Sequence, residues 1–530
     1  MIRQNVFKKT APKFAPELLP EGFGQVALNC KTDRGTLRPY RANTAIWTPT
    51  KAGTKLTIYK FGDFWFHWIT DVDVVKGPVA GDVQQRTYFT GDGAPKVTDT
   101  SIAVSGGGTN YPTNSYTLGI PAPASAPNVA AQGTADGTVP AEDRVYVVTN
   151  VSGWGEEGAT SPASALVTVG GGQTVALSNI PGPPSGDYNI THQRIYRAVT
   201  GSDGTASFFY VGQILSSATT FTDNVEVVGE LLRTASWFPP PTDLKGLKAH
   251  PNGFLVGFTG FEVCFSEAYV PSAWPEEYRL SSEFAVVGLG VFATSILVCT
   301  TGHPYLISGS SPDGMVMERV DISQACVSKR GIVDMGAAVA YPSPDGLIMV
   351  GLGGAKNATE NVLTRDDWQA LTPSSIVGAY HDGKYFGFYN NGTPGGFIFD
   401  PATGDLGFVD VAATAAYSHL ESDTLYLVVA GDIVSFDTGA NKTQKWKSKR
   451  HVVPSVNPPS AKITARGYHG EANTLTFKLY ADQALKHTQN VTSGRPFRLP
   501  GGYLAETLEF EVESNQEITM IQIGPPGAMI

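Results

Sequence analysis

Nine histidines, four cysteines and 48 carboxylates are what this 530-residue chain offers for chemistry. A nucleophilic triad needs a Ser or Cys beside a positioned His and an acid. No Gly-x-Ser-x-Gly strand-to-helix turn occurs. His67 lies within an aromatic run and His381 precedes a turn Asp, so both read as structural. The absence of His-Glu-x-x-His leaves a zinc hydrolase unsupported. Asp71-Val72-Asp73 supplies half of a calcium site without neighbouring oxygen ligands, so it reads as a strand end. Gly106-Gly107-Gly108 and Gly170-Gly171-Gly172 precede no helical pattern and offer no helix N-terminus to a phosphate. Cys30, Cys264, Cys299 and Cys326 are far apart with no Cys-x-x-Cys pair, the pattern of buried reduced thiols. Lys442, Lys445, Lys447, Lys449 and Arg450 surround Trp446, the outline of a nucleic-acid platform. Trp446 also stands where a repeat places its closing aromatic, so the tryptophan reads as core and the lysines as a wet strand face. The sequence therefore predicts no catalytic, metal-ligating or cofactor-binding residue, no cofactor, and a protein that is not an enzyme.

The elements that would position any chemistry are strands. Asp382-Gly383-Lys384-Tyr385-Phe386-Gly387-Phe388 leads to Gly396-Phe397-Ile398-Phe399-Asp400 and then Leu406-Gly407-Phe408. The pattern returns at Asp423–Val428, Asp432–Asp437 and Trp446, and earlier at Asn252–Val256, Glu262–Ser266 and Trp274. A period of about 40 residues, built of paired strands and a closing aromatic, is that of propeller blades or another β-repeat. Some propellers are glycosidases, which need two positioned carboxylates. Ser311-Pro312-Asp313-Gly314 starts like the Ser-x-Asp-x-Gly turn of sialidase-like propellers, but its Gly comes one residue early and Met315-Val316-Met317 lacks the aromatic. With Ser343-Pro344-Asp345-Gly346 it reads as type I turn chemistry.

Composition agrees with short strands and tight turns. Hydrophobic residues make up 42% and charged residues only 16%, with 59 Gly and 36 Pro. Residues 118–240 contain no Lys and carry at least six short β-patterned runs, from Arg144–Val148 to Thr220–Thr222, which predicts an Ig- or fibronectin-like sandwich. Pro121–Pro127 leads into it and Trp237–Pro241 leads out. Period-2 alternation in Thr474–Tyr480, Thr507–Val512 and Ile518–Ile523 predicts a further antiparallel sheet. The expected fold class is all-β, with a β-propeller of roughly six to seven blades, an inserted Ig/fibronectin-like sandwich and a small C-terminal β-domain. The expected division is 1–117 for an N-terminal arm and the first propeller strands, 118–240 for the sandwich, 241–453 for the rest of the propeller and 454–530 for the C-terminal domain.

The formal net charge is −10, which repels polyanions rather than gripping them. Residues 1–41 depart from this, with eight basic residues against three acids. Pro12, Pro16 and Pro20 favour an extended start there, and the segment reads either as an arm lying on a neighbouring subunit's acidic body or as a solvated lead-in. No apolar h-region follows Met1, so no secretory signal is expected. The uncharged stretch from Phe284 past Cys299 is interrupted by Gly288 and Gly290 and reads as buried strand rather than membrane helix.

Several segments together resemble the tail nozzle proteins (tail tubular protein B-like) of short-tailed bacteriophages. They are Leu18–Gly22, Ala27-Leu28-Asn29-Cys30, Gly35–Pro39, Tyr88-Phe89-Thr90-Gly91-Asp92-Gly93-Ala94-Pro95-Lys96, Ala325–Arg330 and Ser343–Leu347. The resemblance implies a structural virion protein, made in the host bacterial cytoplasm and built into the viral tail. It implies a homo-hexameric ring below the portal and head-tail adaptor. That ring extends the DNA-ejection channel, passes genomic DNA without specific binding, holds tail fibres or a plug, and does not insert stably in a membrane. The alternative is a receptor- or glycan-binding β-propeller of a virion.

Overall fold

The computed structural model describes residues 1–200, 206–468, 474–525 and 527. Sharp hairpins set the local structure. In the hairpin joining Val377–His381 to Lys384–Tyr389, Asp382 and Gly383 both take left-handed φ values, +49° and +73°. That is the two-residue turn whose twist matches the strands it connects, and Asp-Gly meets its requirement. The strands that follow bury nearly every residue, because both faces of each sheet are covered.

Six four-stranded antiparallel sheets are built this way, spanning 73–117, 245–281, 286–319, 333–357, 377–409 and 415–435. The last is completed by Thr44–Trp47, which pairs with Asp432–Ser435 in the register Ile433↔Trp47 and Val434↔Ala45. A two-stranded hairpin, Thr57–Phe61 with Phe64–Trp68, is the seventh member. Apolar seams join the seven in a closed order. Leu118, Leu244 and Trp274 fill the seam between the 73–117 and 245–281 sheets, and Val256, Phe265 and Leu289 fill the next. Leu297 with Tyr341, Tyr385 with Leu347, and Phe388 with Leu425 carry the series onward. Ile58 and Trp65 of the hairpin pack on Tyr426 and Ile433, while Phe66 and Trp68 pack on Phe89, which closes the circle. Each such large apolar side chain contributes about 1.5–3 kcal/mol by leaving water. The architecture is a β-propeller, closed non-covalently where an early strand completes the last sheet.

The inserted segment forms two facing sheets. Asn128–Gln132, Thr174–Ser178 and Phe221–Asp223 make one, and Glu157–Thr160, Tyr146–Ser152, Ile190–Thr200 and Ala206–Leu215 make the other. Tyr146, Val148, Val175, Leu177 and Ile195 form the core between them. Asp223 is buried there, accepting hydrogen bonds from Tyr146 Oη at 2.7 Å and Arg197 Nη1 at 2.9 Å.

The C-terminal module differs from its expected form in two ways. First, it takes in residues from the other end of the chain. Ile2–Gln4 pairs with Glu517–Gly524, and Gly24–Leu28 lies between Leu406–Val409 of the propeller and Gln444–Ser448. The arm expected on a neighbouring subunit is thus a structural part of its own chain, because Phe7, Ala27 and Leu37 complete an apolar core that the C-terminal strands leave open. Second, Trp446 closes no propeller repeat. Its strand, Gln444–Ser448, pairs with Ala505–Ser514, and its ring fills the sandwich core against Phe7 and Phe510. Through the parallel contact Leu28↔Phe408, the 377–409 sheet and this module share one ten-stranded sheet. The uncharged stretch after Phe284 is a hairpin, Val286–Phe292 with Ser295–Thr300. Among the described residues no helix is long and apolar enough to cross a membrane.

Candidate functional site

The propeller axis is where all seven members converge, and the chain fills it with charge. A cavity of about 160 Å³ is lined from the innermost strands and adjoining turns by Thr57, Asp73, Lys248, Leu289, Ile332, Val377 and Ala416. Lys329 Nζ donates to Asp73 at 2.7 Å and to Asp71 at 3.1 Å. Lys248 Nζ donates to Asp334 at 2.7 Å, and Asp334 Oδ1 accepts from the Val291 amide at 2.9 Å. Asp73 also accepts from the Gly246 amide at 2.9 Å. Arg330 donates to the carbonyls of Leu56 and Thr414.

These contacts tie together sheets that are distant in the chain. Burial pushes the Asp73 carboxyl up, partly offset by Lys329, whereas Asp73 and Asp71 push the Lys329 ammonium up against its own desolvation. The two shifts have one meaning, that each charge is costly alone and tolerable with the other. A water occupies about 30 Å³ of liquid, so the axial space is sized for a few waters, not for a polymer.

Asp71 and Asp73, weighed from sequence as half of a calcium site, therefore hold a lysine. Their partner Lys329 and its neighbour Arg330 belong to one of the motif segments noted above, while Lys248 and Asp334 gave no local signal. Another such segment is held by Gly91, whose φ is +100° and whose absent Cβ leaves room for the Asp71 carbonyl. That close approach admits only glycine.

The basic cluster around Trp446 is neutralised within the chain. Lys447 pairs with Glu509 at 2.8 Å, Lys445 with Glu511 at 3.3 Å, and Lys449 with Glu21 at 3.3 Å. Arg450 reaches Glu509 at 2.9 Å, and Lys442 pairs with Asp410. Trp446 is fully buried and donates from Nε1 to the Lys8 carbonyl at 2.9 Å. Trp446 is therefore not free for base stacking, and each cation of the cluster already has a carboxylate.

His67 is buried between the Trp65 carbonyl and Asn110 Oδ1, both at 3.2 Å, and burial lowers its pKa. His381 lies 3.7 Å from Asp423 on the surface. The four cysteines are free and buried, and desolvation pushes the Cys30 and Cys264 thiols up to about 12. Ser311–Gly314 and Ser343–Gly346 share a sequence pattern but differ in role. The first is a short 3₁₀ turn, whereas Ser343 is buried and its carbonyl accepts from Trp368 Nε1 at 2.8 Å.

No protein-family model matches the sequence, and no curated protein does. Among solved structures the chain is similar to BamB from Moraxella catarrhalis, with 11% identity over 60% of this chain and 91% of that one and a TM-score of 0.26. It is similar to apo AztD from Citrobacter koseri, with 11% identity over 71% of this chain and 99% of that one and a TM-score of 0.25. A further similar structure is the dihydro-heme d1 dehydrogenase NirN, with 11% identity over 71% of this chain and 76% of that one and a TM-score of 0.24. These loose overlaps assign no role to any residue of this chain.

Proposed function

We propose that the chain is a structural virion protein, a tail nozzle subunit that forms a homo-hexameric ring below the portal and adaptor and extends the DNA-ejection channel. The observation that carries this reading is where the motif segments lie. Ala27–Cys30 adjoins and contributes to the strand that splices the propeller to the C-terminal sandwich. Lys329 and Arg330 pin the axis. Tyr88–Lys96 spans two strands of the sheet that launches the inserted sandwich. Residues that lock modules together suit a part whose task is mechanical.

The filled axis bears on the geometry of such a ring. With a cavity of about 160 Å³ crossed by ion pairs, a genome passes between copies of the chain and not through one propeller. The net charge of −10 gives such a passage a wall that repels phosphates. The basic N-terminal segment is used inside its own subunit, so contacts between neighbours fall to other surfaces. Tail fibres or a plug, and the head-tail adaptor, are the partners this reading assigns to the outer faces.

Electron cryo-microscopy of the purified protein and of intact particles tests it. Six-fold rings at the tail, with propellers around a central opening, are the expected result. Density for this chain elsewhere in the particle, or no particle containing it, overturns the reading.

A further inference from the structure

A second cavity lies away from the axis. It is a cleft of about 740 Å³ between the inserted sandwich and the two propeller sheets that flank its insertion point. Clefts of this size at domain boundaries are common ligand sites. One lip is Tyr269, which is 61% exposed and yet holds φ at +60°. A bulky residue in that region is strained, and strain retained at an exposed aromatic points to a use for the ring. The ring is seated over Gly253, where any Cβ would collide with it, and the Tyr269 amide donates to the Gly253 carbonyl at 2.7 Å. Trp237, Tyr210 and Tyr196 line the sandwich side.

The charges of the cleft are arranged in pairs. Arg194 Nη1 donates to Glu157 Oε2 at 2.7 Å, and Glu157 Oε1 accepts from Tyr196 Oη at 2.7 Å and Thr149 Oγ1 at 2.5 Å. Arg86 Nη1 donates to Glu156 at 2.8 Å. Arg233 and Glu230 add one charge of each sign, and neither side chain has a partner among the described residues. Trp237 Nε1 likewise has no acceptor there. Thr234, which lines the cleft at 5% exposure, keeps an unpartnered hydroxyl.

We propose that this cleft binds a neutral oligosaccharide. A sugar ring presents an apolar face that stacks on an aromatic and a rim of hydroxyls that both donate and accept. The cleft offers rigid aromatic faces together with fixed guanidinium donors and carboxylate acceptors. Its arginines and glutamates balance, so a phosphorylated or strongly cationic ligand finds no net attraction. A lipid tail would leave the ion pairs desolvated and unrewarded. An extended peptide would need a free strand edge, but at Phe208–Tyr210 the edge beside the cleft is already covered by residues 229–232. The Tyr210 amide donates to the Glu230 carbonyl at 2.9 Å and the Leu232 amide to the Phe208 carbonyl at 2.8 Å. The site stands independently of the ring, since it is complete within one chain.

The test uses the purified full chain. Tryptophan fluorescence and saturation-transfer NMR are recorded with a panel of neutral trisaccharides built from glucose, N-acetylglucosamine, mannose, galactose and rhamnose. At least one should bind saturably at about 1 mM or below. Trp237→Ala should weaken that binding about tenfold. Tyr269→Gly removes the ring and relieves the backbone, so it should abolish detectable binding while the thermal midpoint holds or rises. Absence of saturable binding across the panel overturns the proposal, as does binding unchanged in both variants. A Tyr269→Gly protein that melts earlier and still binds sugar assigns the ring to structure and also overturns it.

Discussion

The C-terminal sandwich shares a ten-stranded sheet with the propeller, whereas among the described residues the inserted sandwich shares no sheet with it and meets it across two chain crossings and side contacts. At the crossings Gly119, with φ +97°, lets the incoming chain lie against Pro239 and Pro240 of the outgoing chain. The side contacts include Arg86 with Glu156, the Thr117 amide with the Asp187 carbonyl at 2.7 Å, and Tyr116 against Trp154. Backbone hydrogen bonds shared through one interposed strand, Gly24–Leu28, make two regions unfold together. Adjacent crossings with a polar interface leave a region to stand or fall on its own core. The first arrangement couples two modules through a common sheet, and the second leaves a cleft beneath the inserted sandwich.

The largest effect is expected where the two chain ends are interlocked. Phe7 is 1% exposed and packs edge-on against Trp446 at 5.2 Å. Phe7→Ala should cost about 3–5 kcal/mol. In scanning calorimetry that loss should lower the transition of the propeller and C-terminal sandwich together. A separate early transition for the C-terminal part alone would break the claim that one sheet makes one cooperative unit.

Leu177→Ala sharpens the contrast from the other side. Leu177 is buried between the sheets of the inserted sandwich, and truncation should cost about 2–5 kcal/mol. Here the loss should appear as one transition moving to lower temperature while the propeller's stays in place. If both move equally, the crossings couple the modules more tightly than their contacts imply.

How much of this was legible in the sequence depends on the range of the interactions. The Asp382-Gly383 hairpin and its flanking aromatics announced the propeller because turn chemistry and strand alternation are local. The inserted sandwich was legible for the same reason. The axial pins were not. Asp71 and Lys329 are 258 residues apart, and nothing in either neighbourhood marks the other. Ile2–Gln4 is three residues long, too short for any period, and only its pairing with Glu517–Gly524 gives it meaning. The rhythm that set Trp446 at the end of a repeat was real spacing, but its strand pairs with Ala505–Ser514, and pairing is not written in spacing. The strain at Tyr269 could not be read either, because a tyrosine, unlike a glycine, asparagine or aspartate, does not advertise a positive φ.

A smaller effect is expected at the axis, where the members are held by charge rather than by apolar contact. Lys329→Met keeps the stem and removes the ammonium that faces Asp71 and Asp73. Two carboxylates then share a largely buried space with one counter-charge fewer. The variant should lose about 2–3 kcal/mol by denaturant titration. Lys329→Met with Asp73→Asn should recover part of that loss. No recovery in the double variant would mean that the lysine stem, not its charge, holds the sheets.

The smallest effect separates the regions by pH. His451, in the C-terminal sandwich, stacks on Phe510 at 5.9 Å, and its Nε2 is buried without a partner. Burial, with a lesser push from Lys449, lowers its pKa to about 4. Between its ordinary value of about 6.5 and about 4, the unfolded chain takes up a proton that the folded chain refuses. Stability therefore falls as pH drops through that window, with a slope of at most one proton from this residue, and the full contribution is present above it. His451→Phe keeps the stacked ring and removes the titration. Denaturation midpoints measured from pH 7 to pH 4 should fall less steeply in the variant, and only for the joint transition of propeller and C-terminal sandwich. An equal flattening of the inserted sandwich's transition would show that the two regions report to each other after all.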